Sequence, residues 1–492
     1  MIVGVPGRPE HSSHPAAPRS AVPIAYFAFA YLGLGSAFAA ILLWPELPGA
    51  FFYHPRMVAL VHLVTLAWLT GSILGAFYIV APLALRLPLP AGRADWVAVA
   101  SFTAGTAGMI SHFWIGEYTG MAWSAGMVTA TIAWVAARAW SGLRSAPVPW
   151  GIKLHVALAF FNIIAAAVFG IVLGLDRTQG FLRFPPLAAT YAHAHLAAVG
   201  WVTMMVVGLA YRLIPMMLPA VMPAGRSLAL SAILIETGLA IVIVSSLRGS
   251  AWLPLGAASI AFGLVSFAVH IRLTVGRRLP RPPALPKRDW STWQTHAALL
   301  WLLAAVGLGM ALSIGVRDEA RAPLAWTYGV AGLVGFLAQV VVGIQGRLVP
   351  LYAWYRALAA RDGAPPVRGA NELPSAAFAR LIFLTWTAGV PLLAWGLAAE
   401  RHAIIRISAG LLLAGVVTGA AYFIHILRAA HAERPSASTA AAPAGRASTR
   451  GEENDVSGNS DDRSGRSARP SLAHHADRAG NRQPRAGAGH GR

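Results

Sequence analysis

The sequence predicts an all-α polytopic membrane protein of about twelve transmembrane helices, arranged as three pseudo-repeated four-helix units. Three observations carry that reading. Apolar residues make up 56% of the chain and charged residues only 12%, leaving many uncharged runs of the roughly 20 residues that cross a bilayer core. One helix pattern is written twice, with its leading histidines 133 positions apart. Lys and Arg gather in alternate loops.

In order, the spans fall near residues 23–45, 57–82, 95–115, 118–140, 150–175, 187–214, 226–246, 252–274, 293–314, 324–350, 377–399 and 403–427. Backbone polar groups need partners in lipid, so a helical bundle over 23–427 is the architecture that satisfies them. Residues 1–22, rich in Pro, Ser and His, lack the pattern of a cleavable signal and read as a cytoplasmic segment, with the first span as an uncleaved signal. Residues 428–492 are dominated by Ala, Gly, Ser, Arg and Asp without apolar periodicity. They read as a disordered cytoplasmic tail.

The formal charge of +20 follows topology. Arg86 and Arg93, then Arg138, Arg144 and Lys153, then Arg272, Arg277, Arg278, Arg281, Lys287 and Arg288, then Arg356, Arg361 and Arg368 occupy every second loop. The intervening loops hold few cations, such as Arg56, Arg177 and Arg248. This positive-inside bias puts both termini in the cytoplasm and the protein in the cell (inner or plasma) membrane. It assigns the excess charge to anionic lipid and makes nucleic acid no partner. Cysteine is absent, so disulfides, thiolate metal sites and iron–sulfur clusters are excluded.

The repeat reads HLVTLAWLTGSILGAFYIVAP from His62 to Pro82 and HLAAVGWVTMMVVGLAYRLIP from His195 to Pro215. Counting from the His, both carry Trp at +6, Thr at +8, Gly at +13, Tyr at +16 and Pro at +20. A third copy is expected near residue 330. There VAGLVGFLAQVVVGIQGRLVP, Val330 to Pro350, keeps Gly343 at +13 and Pro350 at +20 but has lost the His, the Trp and the Tyr. A weaker echo links the fifth and ninth spans through His155 and His296 near their starts.

A histidine inside a membrane bundle is costly unless paired, which makes a functional site the default reading. Interhelical hydrogen bonding is the alternative for each of them. The inferred topology gathers His62, His193, His195 and His112 toward the outer side, and His155, His270, His296 and His425 toward the cytoplasmic side. His62 with His195 or His112 supplies two imidazoles from different helices. His193 and His195 are about 200° apart on an ideal helix, so they do not share a face. His155 and His296, beside Lys153 and Gln294, are metal candidates or interface residues. Glu236, in the middle of the seventh span, is the deepest carboxylate and marks a proton or polar path or an interhelical bond. Asn162 and Gln339 are interhelical hydrogen-bonders, or with Glu236 line a solute path. Glu117, near His112, offers metal or proton entry.

Twelve spans in three groups of four, with His on the second helix of a group, resemble subunit I of the haem–copper oxidases and nitric oxide reductases. Ala192-His193-Ala194-His195-Leu196 followed by Gly200-Trp201 looks like segments of small relatives of that superfamily, and the NnrS-type membrane proteins are similar in architecture. The resemblance covers about 23–427. It implies haem, with copper as a further cofactor, bound by outer-side histidines for electron transfer or O2/NO handling. It also implies an electron donor or an oxidase-assembly partner besides the lipid bilayer. Any enzyme activity would be oxidoreductase-like. The ligand set departs from the family: the seventh and tenth spans carry no His, so the standard oxygen-reducing centre is incomplete. His62 is the residue that matches the low-spin haem position. A cofactor-free scaffold or assembly factor and a small-solute transporter are the other classes, the latter opposed by same-direction repeats.

Overall fold

The computed structural model describes residues 20–49, 52–280, 289–361, 366 and 368–432. Most of the expected cytoplasmic N-terminal segment and nearly all of the expected tail therefore lie outside the described residues. Among those described, the chain is helical, with no strand and one isolated bridge between Ala220 and Arg278. Twelve helices follow one another: α1 Val22–Leu43, α2 Pro55–Ala84, α3 Arg93–Ile115, α4 Thr119–Ser145, α5 Trp150–Gln179 and α6 Leu187–Met217. Then come α7 Leu228–Arg248, α8 Leu253–Gly276, α9 Trp290–Ile314, α10 Asp318–Ala360, α11 Ala376–Ala398 and α12 His402–His431.

Sequence signals set the ends. Proline stands in the first turn of α1, α2 and α8, where its missing N–H costs nothing. Gly116, Gly180 and Gly249 close α3, α5 and α7 at φ of 75°, 64° and 62°, the left-handed cap that a side chain would strain. Eleven of the helices are long and apolar enough to cross a membrane, so the chain is a multi-pass membrane protein. The exception is α3, whose composition is diluted by Arg93, Asp95, Ser101 and His112. Its Asp95 is 1% exposed and pairs with Arg138, while Tyr78 donates to it at 2.7 Å. A buried charge needs such partners.

The three repeat helices form the centre. Within their most apolar windows, 61% of α2, 67% of α6 and 61% of α10 is buried, against 11–50% for the other spans. Each contains a π-helical stretch: Leu63–Thr70, Leu196–Thr203 and Val330–Ala338. Each begins at the repeat's first or second residue and ends at its ninth, and all three touch one another. The repeated Thr closes the wider turn in two copies. Thr70 donates to the Thr65 carbonyl at 2.9 Å and Thr203 to the Ala198 carbonyl at 2.9 Å, both reaching five residues back as π geometry requires. Trp201 also donates to Thr70 at 3.2 Å, joining two copies side by side. At +6 the third copy keeps an aromatic ring, Phe336, buried like Trp68 and Trp201.

In each unit the first helix crosses its repeat helix at two small residues. At +13, a Cβ on Gly75 would stand 3.0 Å from the Cβ of Tyr26, one on Gly208 2.5 Å from that of His155, and one on Gly343 2.4 Å from Thr295 Oγ1. At +5 the sizes compensate. Gly33 faces Ala67, Asn162 faces Gly200, and Trp301 faces Gly335. Tyr26, His155 and Gln294 each lie seven residues before these second crossings, so they are equivalent positions. The echo of His155 in the third unit is therefore Gln294, two residues before His296.

Candidate functional site

The histidines that lead the repeat sit where the α-helical start of each central helix gives way to its π stretch. His62 ends the α-helical run Pro55–His62, and His195 ends Pro186–His195. The His62 Nδ1 lies 2.7 Å from the Val58 carbonyl one turn back. A carbonyl can only accept, so the proton is on Nδ1 and Nε2 carries the lone pair.

The structure places His193 beside His62. Their ring centroids are 6.3 Å apart with planes 22° from parallel. Phe113 packs on His62 at 4.9 Å and Phe169 on His193 at 6.3 Å. Gly170 of α5 passes close to His193, where a Cβ would stand 2.8 Å from Cε1. The His193 Nδ1 faces the Ala166 carbonyl, with geometry short of a hydrogen bond.

His195 turns to another neighbour. Its Nδ1 is held by the Tyr191 carbonyl at 2.8 Å, and Tyr328 of α10 donates its hydroxyl to Nε2 at 3.0 Å. These rings stand 6.1 Å apart at 21°, nearly the His62–His193 arrangement. The offsets explain the likeness. His193 is at −2 of the second copy and Tyr328 at −2 of the third, so each leading His meets the −2 residue of the following unit. By the same rule Val330 is matched with Leu60, both apolar and buried at 5% and 3% exposure. Two junctions thus carry His–His and His–Tyr, and the equivalent third positions hold two apolar side chains.

The other candidates lie elsewhere. His112 forms an ion-pair contact of 2.7 Å with Glu117, without the angle of a hydrogen bond. Desolvation opposes charge on Glu117, yet the N–H groups of Gly120 and Thr119 and the nearby His112 outweigh it and hold the carboxyl below its ordinary range. His155 is fully buried with both nitrogens engaged, Nδ1 with Gly151 O at 2.6 Å and Nε2 with Ser231 Oγ at 3.0 Å. That is a structural role. His296 is exposed, its ring against Trp293. Glu236 accepts from Asn162 Nδ2 at 2.8 Å, and the same amide reaches Gly200 O of the π stretch at 3.2 Å. The carboxylate therefore ties α7, α5 and α6 together.

His62 and His193 bring two imidazoles from different helices side by side, with the Nδ1 of His62 anchored, and imidazole is the donor type that haem iron or copper would take. Among the described residues no group of three or more His, Asp or Glu comes together, so any metal here would rest on two protein ligands. The sequence singled out His62 and His193 but paired His62 with His195 or His112. The relation it lacked is the step from a leading His to the −2 residue of the next copy. Compared with family models and with curated proteins the chain matches none, so its site is read from its own geometry.

Proposed function

We propose that this chain is a membrane metalloprotein, akin to the haem–copper oxidase subunit I family, that holds haem iron or copper between His62 and His193. The observation that carries this reading is the 6.3 Å imidazole pair with the His62 Nδ1 fixed by a carbonyl. When bound, such a group supplies one-electron chemistry, for electron transfer or for handling O2 or NO. The chain's own part is to orient the ligands and keep water away. The Val58 carbonyl sets the His62 tautomer, and Phe113 and Phe169 cover the pair. The arginine-rich loops put both termini in the cytoplasm and the pair toward the outer side of the cell membrane, where an electron donor would dock.

The test is the visible spectrum and metal content of detergent-purified protein from haem- and copper-replete cells. The wild type should show a Soret band that shifts on dithionite reduction, or stoichiometric copper. His62→Ala and His193→Ala should each lose at least about tenfold in metal affinity, while His195→Ala keeps the metal. A colourless wild type free of iron and copper favours the second reading, a cofactor-free scaffold. The His195–Tyr328 junction supports that reading, because the same ring arrangement there needs no metal.

A further inference from the structure

The third repeat lost its tyrosine at +16, and the space this leaves has a chemistry of its own. In the first unit Tyr78 stacks on Tyr26 with centroids 6.3 Å apart. In the second, Tyr211 packs edge-on against His155 at 5.6 Å. The equivalent pair in the third unit is Gly346 and Gln294. There is no ring there, and both residues border a cavity with ≈ 30 Å³ of room for the centres of water-sized molecules. Gln294 is 2% exposed, and neither its Oε1 nor its Nε2 has a hydrogen-bond partner among the described residues. Leaving both ends of a buried amide unpaired is costly unless water fills the role.

The rest of the lining is largely apolar and carries no charged side chain, and a few polar side chains interrupt it beside Gln294. Ser291 and Tyr422 contribute hydroxyls. Tyr31 donates to Gln345 Oε1 at 2.9 Å, which leaves its own oxygen able to accept. Gln345 Nε2 continues the chain to Ser72 Oγ at 3.1 Å, next to the π stretch of α2. Ser291 and Trp290 stand in the first turn of α9, at the arginine-rich end of the bundle.

We infer that this cavity is a hydration site of about two water molecules, anchored by Gln294 and open to exchange with solvent at the arginine-rich end. With Tyr31, Gln345 and Ser72 it makes a polar thread from that end to the residues just past the π stretch of α2. The neutral lining and small volume suit water and exclude an ion or a larger solute. The inference uses no residue of the histidine pair and stands without it.

Radiolytic hydroxyl labelling in H2(18)O, read by mass spectrometry on the full chain in nanodiscs, tests it. Water held in the cavity labels Tyr31 and Tyr422 although Tyr422 is 5% exposed. Gln294→Leu, of similar volume and without the amide, should cut that labelling by about fivefold or more, with Tyr118 in the loop at residues 116–118 unchanged. Absence of label on both tyrosines in the wild type, with Tyr118 labelled, would overturn the inference even if the variant fails to fold. Equal labelling in wild type and variant would remove Gln294 as the anchor and overturn it in that form.

Discussion

The junction between the first and second units and the junction between the second and third are built on one plan and differ by one ring. In the first, His62 meets His193; in the second, His195 meets Tyr328, with centroid distances of 6.3 and 6.1 Å and interplanar angles of 22° and 21°. The backbone therefore dictates that two rings face one another here, and the −2 residue decides what they do. A phenol donates its proton to the imidazole and closes the contact. A second imidazole makes no hydrogen bond to the first, and on the proposed reading the pair serves as metal donors. The comparison separates what packing requires from what chemistry adds.

The strongest challenge to it is to make the two junctions alike. On the proposed metal-binding reading, Tyr328→His should create a second imidazole pair and about double the metal bound per chain, with affinity within about tenfold of the native pair. An unchanged stoichiometry in a folded variant would show that ring spacing alone does not make a site. Next in size is the packing that holds each first helix on its repeat helix. Gly208→Ala puts a Cβ 2.5 Å from that of His155, and overpacking of this kind costs about 1–3 kcal/mol. Chemical denaturation in detergent should show that loss, whereas alanine at Gly126, which has nothing within 4 Å, should leave stability unchanged.

A smaller effect tests the direct bond between copies. Trp201→Phe keeps the ring and removes the donor to Thr70, for about 1 kcal/mol of stability. Thr70→Val also removes the bond to the Thr65 carbonyl, so the pair is read from a double-mutant cycle, where a coupling near zero would show that Trp201 and Thr70 act independently. The smallest effect lies at the loop joining α3 to α4. The folded-state pKa of Glu117 is below the ordinary 4.5, so its contribution is present above that value and is lost as pH falls through the lower folded value. Glu117→Gln should flatten the acid limb of stability against pH there and alter little at pH 7, given the exposure of the side chain.

Much of the fold was legible because it is written in hydropathy and in residue identity. Long apolar runs placed the helices, and the shared Trp, Thr, Gly, Tyr and Pro aligned two repeats and located the third. Even α3, more polar than the other spans, was read near 95–115 from its apolar run. The π stretches were not read, although the Thr at +8 was their trace: its hydroxyl bonds five residues back only after the turn has widened. The histidine pairing was hidden for a related reason. Helix periodicity tells which residues share a face of one helix, not which face the next unit presents. His193 therefore looked like a bystander to His195 until the three units were seen to follow one another around the centre. The third unit was read as having lost its aromatic at +6, while Phe336 had kept the ring and changed its kind.

All three central helices widen over the same stretch, as copies of one four-helix segment would. An ancestral four-helix segment would then have assembled as a ring of three identical subunits, as cyclic homo-oligomers do. Its three junctions would have been the same, each with one residue at the head of a helix facing the −2 residue of its neighbour. Fusion into one chain would free each junction to change alone. One now pairs two imidazoles, one an imidazole with a hydrogen-bonded phenol, and the equivalent third positions are a valine and a leucine.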